Sequence, residues 1–193
     1  MTAIRSLAVF CGSRLGVNPA YADAARALGR GLGQAGIRLV YGGGRIGIMG
    51  VVADATLAAG GSVLGVIPEF LTQWEVAHTT VTEMVVTDSM HSRKRRLYEE
   101  SDAFLVMPGG LGTYDEAFEI ITWRQLRLHD KPIVLCNVAG SVGPLVAAID
   151  HAVEQGFADP ACRALFEVIE GVPAVLERLE TLSAGRSGSG ERL

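Results

Sequence analysis

Short, uninterrupted apolar runs recur along the chain and alternate with longer segments whose apolar residues repeat every three or four positions. Residues 7–11, Leu-Ala-Val-Phe-Cys, show no polar alternation, which is typical of a strand buried on both faces of a parallel sheet. Such runs predict six strands, over residues 7–11, 38–41, 63–68, 81–86, 103–107 and 132–136. Because strands alternate with helices throughout, the pattern predicts an α/β fold, a doubly wound (Rossmann-like) and mostly parallel sheet with helices on both faces.

Helix signals separate these runs. Asn18 and Pro19 fit the N-cap and first helical position, an apolar stripe follows at every fourth residue from Ala20, and Gly36 ends the segment. Further helices are predicted over residues 51–59, 90–100, 117–128, 144–155 and 173–182. We therefore expect a single nucleotide-binding catalytic domain over residues 1–182 and a disordered, Ser/Gly/Arg-rich tail over residues 183–193.

Three glycine-bearing loops follow predicted strands, at Gly12-Ser13, at residues 42–47 and at residues 108–113. Ligands of doubly wound sheets bind at the carboxyl ends of the strands, so the three loops predict one composite pocket. In the second loop, Gly43 and Gly44 are expected to hold a phosphate or a sugar. Close helix–strand packing and a dinucleotide fingerprint, whose glycine spacing this loop matches, are the alternatives.

The third loop joins an apolar strand to an apolar helix through the sequence PGGLGTYDE, residues 108–116. Its glycines let backbone N–H groups approach a ligand, and the helix start behind them favours a phosphate. Glu116 has two interpretations. Thr113-x-x-Glu116 matches a capping box, in which both side chains only cap the helix. Alternatively, the helix start keeps Glu116 ionised for use as a base or as a stabiliser of positive charge.

A basic segment, residues 93–96, carries four consecutive cations. A charge run on a helix is usually a solvated face. However, Met90, Arg93, Lys94 and Leu97 have the spacing of one helix face. Arg93 and Lys94 are therefore expected to point inward, where a cation needs an anionic partner or a ligand.

Bulk composition narrows the function classes. The 193 residues carry a net charge of −4 and only 6% aromatic residues, which argues against binding to nucleic acid or to an anionic membrane surface. The apolar run after the first residues is too short for a signal peptide or a membrane span. Cys11, Cys136 and Cys162 lack metal-ligand spacing and fit buried thiols in a reducing compartment. We expect a cytoplasmic protein with no metal site.

The PGGLGTYDE loop, together with Arg93-Lys94, resembles the signature of the LONELY GUY family, Pro-Gly-Gly-x-Gly-Thr-x-x-Glu. Members of this family are cytokinin riboside 5′-monophosphate phosphoribohydrolases, and such sequences are often labelled lysine decarboxylases. Further agreement extends the resemblance over about residues 7–171, with matching stretches at residues 10–13, 41–50, 90–94, 121–123 and 129–132.

The resemblance implies hydrolysis of the N-glycosidic bond of N6-substituted adenosine 5′-monophosphates, which releases the free base (a cytokinin) and ribose 5-phosphate. It places the catalytic pair on Arg93 and Glu116. It implies no cofactor. The residues that it places on the substrate are Glu75, Lys94, Gly109, Gly110, Leu111, Gly112, Thr113 and Thr122. The matching stretches complete the expected binding set with Gly12, Ser13, Gly43, Gly44 and Met90.

The resemblance also implies a homodimer with the site near its interface. The helix after Glu116 is apolar on more than one face, which is typical of a helix buried in a core or an interface. Two alternative functions stay open. One is an AMP nucleosidase with little preference for N6-modified bases. The other is a nucleotide-binding or sensor protein without catalysis. It stays open because the fold alone does not distinguish catalysis from binding without turnover.

Overall fold

Seven parallel strands form one sheet in this computed structural model, which describes residues 4–72 and 77–187. The strand order is β4-β3-β2-β1-β5-β6-β7. This is the predicted doubly wound arrangement, and the six predicted strands are all present. The strands are β1 (Ser6–Phe10), β2 (Arg38–Tyr41), β3 (Val63–Pro68), β4 (Glu83–Thr87), β5 (Ala103–Val106), β6 (Ile133–Asn137) and β7 (Glu167–Glu170).

Six α-helices cover the two faces of the sheet. Successive residues of β1 show the division. Leu7 and Val9 pack into a core cluster with α1, α2 and α6, whereas Ala8 and Phe10 pack into a second cluster with α3, α4 and α5. The helices are α1 (Pro19–Ala35), α2 (Gly47–Ala58), α3 (Met90–Glu99), α4 (Leu111–Gln125), α5 (Gly143–Glu154) and α6 (Gly171–Ser187). Within the described residues, no helix is long and apolar enough to cross a membrane.

The seventh strand and the last helix differ from the predictions. Strand β7 was not predicted, because it lies at the sheet edge and its residues 167–170 are mostly exposed, so they form no apolar run. Helix α6 continues five residues beyond the predicted end, and a disordered tail starting at residue 183 is wrong. Ser183 Oγ donates to Leu179 O and accepts from Ile4 N, which ties this part of the helix to the start of the chain. Residues 188–193 lie outside the described residues.

The site is positioned at the carboxyl ends of the paired neighbours β1 and β5, where the order of the strands along the sheet reverses direction. Loops after these two strands run toward opposite faces and leave a crevice at the carboxyl edge. Backbone hydrogen bonds join its walls. Gly12 N donates to Pro108 O at 3.0 Å, and Met49 N donates to Gly12 O at 3.2 Å. Gly47, with φ of 67°, lies so close to Ser13 that any Cβ would overlap its backbone.

Candidate active site

A buried ion pair between α3 and α4 lies beside this crevice. Arg93 Nη1 donates to Glu116 Oε1 at 2.7 Å, and Arg93 Nε donates to the Val66 carbonyl of β3 at 3.1 Å. Relative exposure is 7% for Arg93 and 9% for Glu116. The prediction that Arg93 points inward is therefore confirmed, and its anionic partner is Glu116.

Gly42, at the end of β2, gives the Arg93 side chain its space. A Cβ at this position would overlap Arg93 Nη2 and would lie 3.0 Å from Met49 Sδ. The glycine is thus required by the close approach of a guanidinium. The sequence offered no signal for this contact, because the two residues are far apart in the chain.

Helix α4 begins earlier than the capping-box interpretation requires. Its N-cap is Gly110, without any side-chain cap, so Thr113 is the third helical residue and Glu116 the sixth. The Thr113–Glu116 capping box is wrong, because the Gly109-Gly110 pair lets the chain enter the helix before Thr113. Thr113 instead packs against Gly109, where a Cβ would overlap its hydroxyl oxygen. The first turn of α4 therefore begins with N–H groups that no capping side chain occupies.

The ionisation of Glu116 follows from burial and from Arg93. Burial in the interior raises the pKa of the Glu116 carboxyl above its ordinary value, and the Arg93 and Lys94 charges oppose this shift. The sequence predicted that the helix start keeps Glu116 ionised. In the structure it is the Arg93 guanidinium that favours the charged form and partly offsets the effect of burial. A carboxylate with a raised pKa is a stronger base than an ordinary one.

The pair lies in the wall of a cavity of about 220 Å³. The cavity brings together most of the predicted site residues, which are Gly12, Ser13, Met90, Arg93, Gly110, Leu111, Gly112, Thr113 and Glu116. Four further lining residues were missed by sequence reasoning, namely Cys11, Met49, Leu71 and Asp115. Of these, Cys11 and Met49 lie in stretches that match the family and Asp115 lies next to Glu116, whereas Leu71 is brought in only by the fold.

A larger cavity of about 710 Å³ adjoins the first. The two share Gly12, Ser13, Gly110 and Leu111, and Gly109 lines only the larger one. Neither Arg93 nor Glu116 is among the described residues that line the larger cavity. The glycine loop therefore separates a small cavity that holds the ion pair from a wider one, and its residues face both.

Four predicted binding residues lie elsewhere. Gly43 O accepts from His78 N at 3.0 Å and Gly44 bridges to Ala77, and neither glycine lines either cavity within the described part of the chain. Lys94 pairs with acidic residues of α4. Thr122 is exposed on α4.

Glu75 lies outside the described residues. Among residues 4–72 and 77–187, no cluster of His, Cys, Asp and Glu has the arrangement of a metal site. The three cysteines are free and buried, as predicted.

Comparisons with known proteins show which family the chain belongs to. A family model described as "Possible lysine decarboxylase" matches residues 49–179. The cytokinin riboside 5′-monophosphate phosphoribohydrolase of Rhodococcoides fascians is 45% identical over 176 residues, covering 89% of both chains. The chain belongs to this family of phosphoribohydrolases. Further members include an enzyme of Arabidopsis thaliana, 45% identical over 92% of this chain and 81% of its own, and a probable one of Oryza sativa, 44% identical over 93% and 73%.

Solved structures extend the comparison of the fold beyond the phosphoribohydrolase family. The molybdenum cofactor carrier protein of Chlamydomonas reinhardtii superposes with a TM-score of 0.70 at 19% identity, covering 96% of this chain and 99% of the carrier. The molybdenum cofactor binding protein of Rippkaea orientalis gives 0.68 at 20% identity, over 94% and 97%. At such low identity these proteins show a shared fold alone.

Proposed function

We propose that the protein hydrolyses the N-glycosidic bond of N6-substituted adenosine 5′-monophosphates, releasing the free base and ribose 5-phosphate. The observation that carries the proposal is the buried Arg93–Glu116 pair beside the uncapped start of α4. The activity of the relatives agrees with this chemistry, since the Rhodococcoides relative is named for it.

The geometry suggests how each part acts. The 5′-phosphate binds at the N-terminus of α4, where backbone N–H groups and the Thr113 hydroxyl are donors. The ribose then lies between this loop and Glu116 in the small cavity. Cleavage of the bond at C1′ passes through a cationic, oxocarbenium-like state, which the Glu116 carboxylate stabilises. The bond from C1′ to the base nitrogen breaks, a water adds its hydroxyl to C1′, and Glu116 accepts the water's proton. That proton passes by way of solvent to the departing base, whose nitrogen is protonated, so the reaction consumes one water in all.

Arg93 supports this role of Glu116. Its guanidinium is always charged and holds one carboxylate oxygen at 2.7 Å, which fixes the direction of the second oxygen. Without this partner, burial would favour the protonated acid, which cannot stabilise a cation or accept a proton. Arg93 thus keeps a usable base in a poorly hydrated position.

The lysine decarboxylase label has no support in the positions of the two lysines of the chain. Lys94 pairs with Asp115 at 2.8 Å and is 15% exposed at its side chain. Lys131 Nζ donates to Tyr98 O at 2.6 Å and lies 3.9 Å from the centre of the Tyr98 ring. Neither is among the described residues that line the small cavity. A lysine that forms a Schiff base needs an accessible amine in the site.

The base preference follows from the remaining wall of the small cavity. Met49, Leu71 and Met90 line it without any charge, and thioether side chains adapt to apolar groups of varied shape. This favours an apolar substituent on the base over unmodified adenine. An AMP nucleosidase and a sensor without turnover remain as alternatives.

One assay separates the three functions. The protein is incubated with AMP and with N6-isopentenyl-AMP, and released base is measured by chromatography. We expect base from both nucleotides and a higher kcat/KM for the isopentenyl compound. Equal values would favour the AMP nucleosidase. Tight binding of both nucleotides without released base would show a sensor.

We further propose that the protein is a cytoplasmic homodimer. Three side chains on one exposed face of α4, at positions 111, 118 and 122, continue at the helical spacing to the C-cap residue Leu126, and the apolar ones are Leu111, Phe118 and Leu126. Leu111 also lines both cavities, so a second copy on this face would lie beside the site. Three free, buried cysteines are compatible with a reducing compartment.

A further inference from the structure

Lys94 follows Arg93 on α3 but has a different environment. Its Nζ lies 2.8 Å from Asp115 Oδ2 and 3.4 Å from Glu119 Oε2, both on α4. Among the described residues, the small cavity is lined by Arg93 and Asp115 but not by Lys94. The lysine is therefore held between two carboxylates, and Asp115 stands between it and the cavity.

The stem of Lys94 packs in an aromatic and apolar environment on the side of Glu116 away from the cavity. Lys94, Glu116 and Glu119 line one narrow space together with Phe10 and Trp123. The side chains of Lys94 and Glu119 are 15% and 24% exposed. A charge at this degree of burial needs a partner, so removing Lys94 would leave the Glu119 carboxylate unbalanced beside Glu116, whereas Asp115, 58% exposed at its side chain, stays solvated.

We propose that Lys94 is a positioning residue that does not contact the nucleotide. Glu119 holds Lys94 in place, and Lys94 acts on Glu116 through its ion pair with Asp115 and through its own positive charge. This rests on the proposed function and differs from the role that the family resemblance places on Lys94. Consecutive cations of α3 thus meet consecutive acids of α4, Arg93 with Glu116 and Lys94 with Asp115. Glu119, one helical turn beyond Asp115, thereby helps to position the active site through its contact with Lys94.

The charged and titratable groups around Glu116 give the sign of the expected effect. They are Arg93 and Lys94 on α3, Asp115 and Glu119 on α4, and the Cys11 thiol at the end of β1. Of these, only Arg93 and Lys94 favour the carboxylate. Loss of Lys94 raises the pKa of Glu116 further, so a smaller fraction is ionised at each pH and the acid limb of the kcat profile moves to higher pH.

The first test compares Lys94→Met, Lys94→Arg and Arg95→Met. We expect Lys94→Met to move the acid limb upward by about half to one pH unit, which lowers kcat about three- to tenfold at pH values below the midpoint, with KM changed less than about twofold. Lys94→Arg keeps the charge and should restore most of kcat. Arg95→Met is the matched control, because Arg95 is exposed and pairs with Glu99 on its own helix.

The second test adds Glu119→Gln to Lys94→Met. Once Lys94 is gone, Glu119 is an unbalanced anion, so its neutralisation should move the acid limb back down and recover part of kcat. A purely structural role for Lys94 predicts a further loss, not recovery. Circular dichroism and thermal unfolding confirm that each variant is folded.

A third readout does not depend on turnover. ¹³C NMR follows the titration of the Glu116 carboxyl, identified by its absence in Glu116→Gln. Because AMP is a substrate, calorimetry measures AMP affinity in the inactive Glu116→Gln background, with and without Lys94→Met. We expect Lys94→Met to raise the midpoint and leave affinity within about twofold. An unmoved midpoint with affinity lowered tenfold or more would overturn the proposal and make Lys94 a nucleotide ligand. Failure of the wild type to release base would instead refute the proposed function.

Discussion

At the scale of single residues, the site depends on a carboxylate placed where water has little access. Glu116 is buried, its pKa is raised by burial, and Arg93 restores part of the preference for the charged form. The same carboxyl group is then both a strong base and a fixed negative charge near the sugar. Its protonation state is the property on which activity depends.

We expect Glu116→Gln to lower kcat by about 10²–10⁴, because the amide keeps the side-chain shape but neither accepts a proton nor stabilises a cation. Steady-state release of base measures the loss, and AMP binding, which depends on the glycine loop, serves as the control. Turnover near that of the wild type would remove Glu116 from the chemistry.

The pH dependence of kcat in the wild-type enzyme should report the titration of the Glu116 carboxyl. Because the folded-state pKa of Glu116 is raised, kcat is expected to fall with decreasing pH through a midpoint above the ordinary range of a glutamate. The acid limb should be absent from the residual activity of Glu116→Gln. A limb that persists unchanged in that variant would assign the titration to another group.

Gly42→Ala tests the space reserved for the guanidinium. The new Cβ would overlap Arg93 Nη2, so the arginine must shift and its bond to Glu116 weakens. We expect a loss of kcat of about tenfold or more, since small displacements of catalytic groups are costly. Gly143→Ala is the matched control, because a Cβ there meets nothing within 4 Å. Equal activity of the two variants would show that Arg93 tolerates displacement.

At the scale of elements, the sequence predicted helices and strands best where local chemistry decides them. Asn18, Pro19 and Gly36 bound α1 as expected. Helix α4 began earlier than predicted because two consecutive glycines can act as an entry without a capping side chain. Leu71 reaches the cavity only through the packing of a distant segment, so no local pattern could assign it, whereas Met49 lies in a stretch that matches the family.

The cap of α1 should be separable from function. Asn18 Oδ1 accepts from Ala20 N at 3.0 Å, so Asn18→Ala is expected to cost about 1 kcal/mol of unfolding free energy and to leave kcat unchanged. Denaturant unfolding measures the change. Asp23→Ala is the control, because its ion pair with Arg26 is exposed and contributes little. A cost for Asn18→Ala no larger than that of the control would show that the cap is dispensable.

At the scale of the whole molecule, the exposed apolar face of α4 is the feature that a single chain does not explain. Phe118→Glu combined with Leu126→Glu should give a monomer in analytical ultracentrifugation and lower activity, since both side chains are exposed and unneeded by the core. Val168→Glu, on the edge strand β7, is the control for an exposed apolar residue elsewhere. A wild-type protein that is monomeric and fully active at assay concentration would contradict the dimer.

The bond from Arg93 Nε to the carbonyl of Val66 has a consequence for how the protein loses activity on heating. Val66 belongs to β3, which is buried along its whole length inside the sheet. Fraying of loops or helix ends leaves such a strand intact, and its amides exchange with solvent only through global opening. The arginine is therefore attached to a fully buried strand, and inactivation is expected to coincide with cooperative unfolding of the sheet.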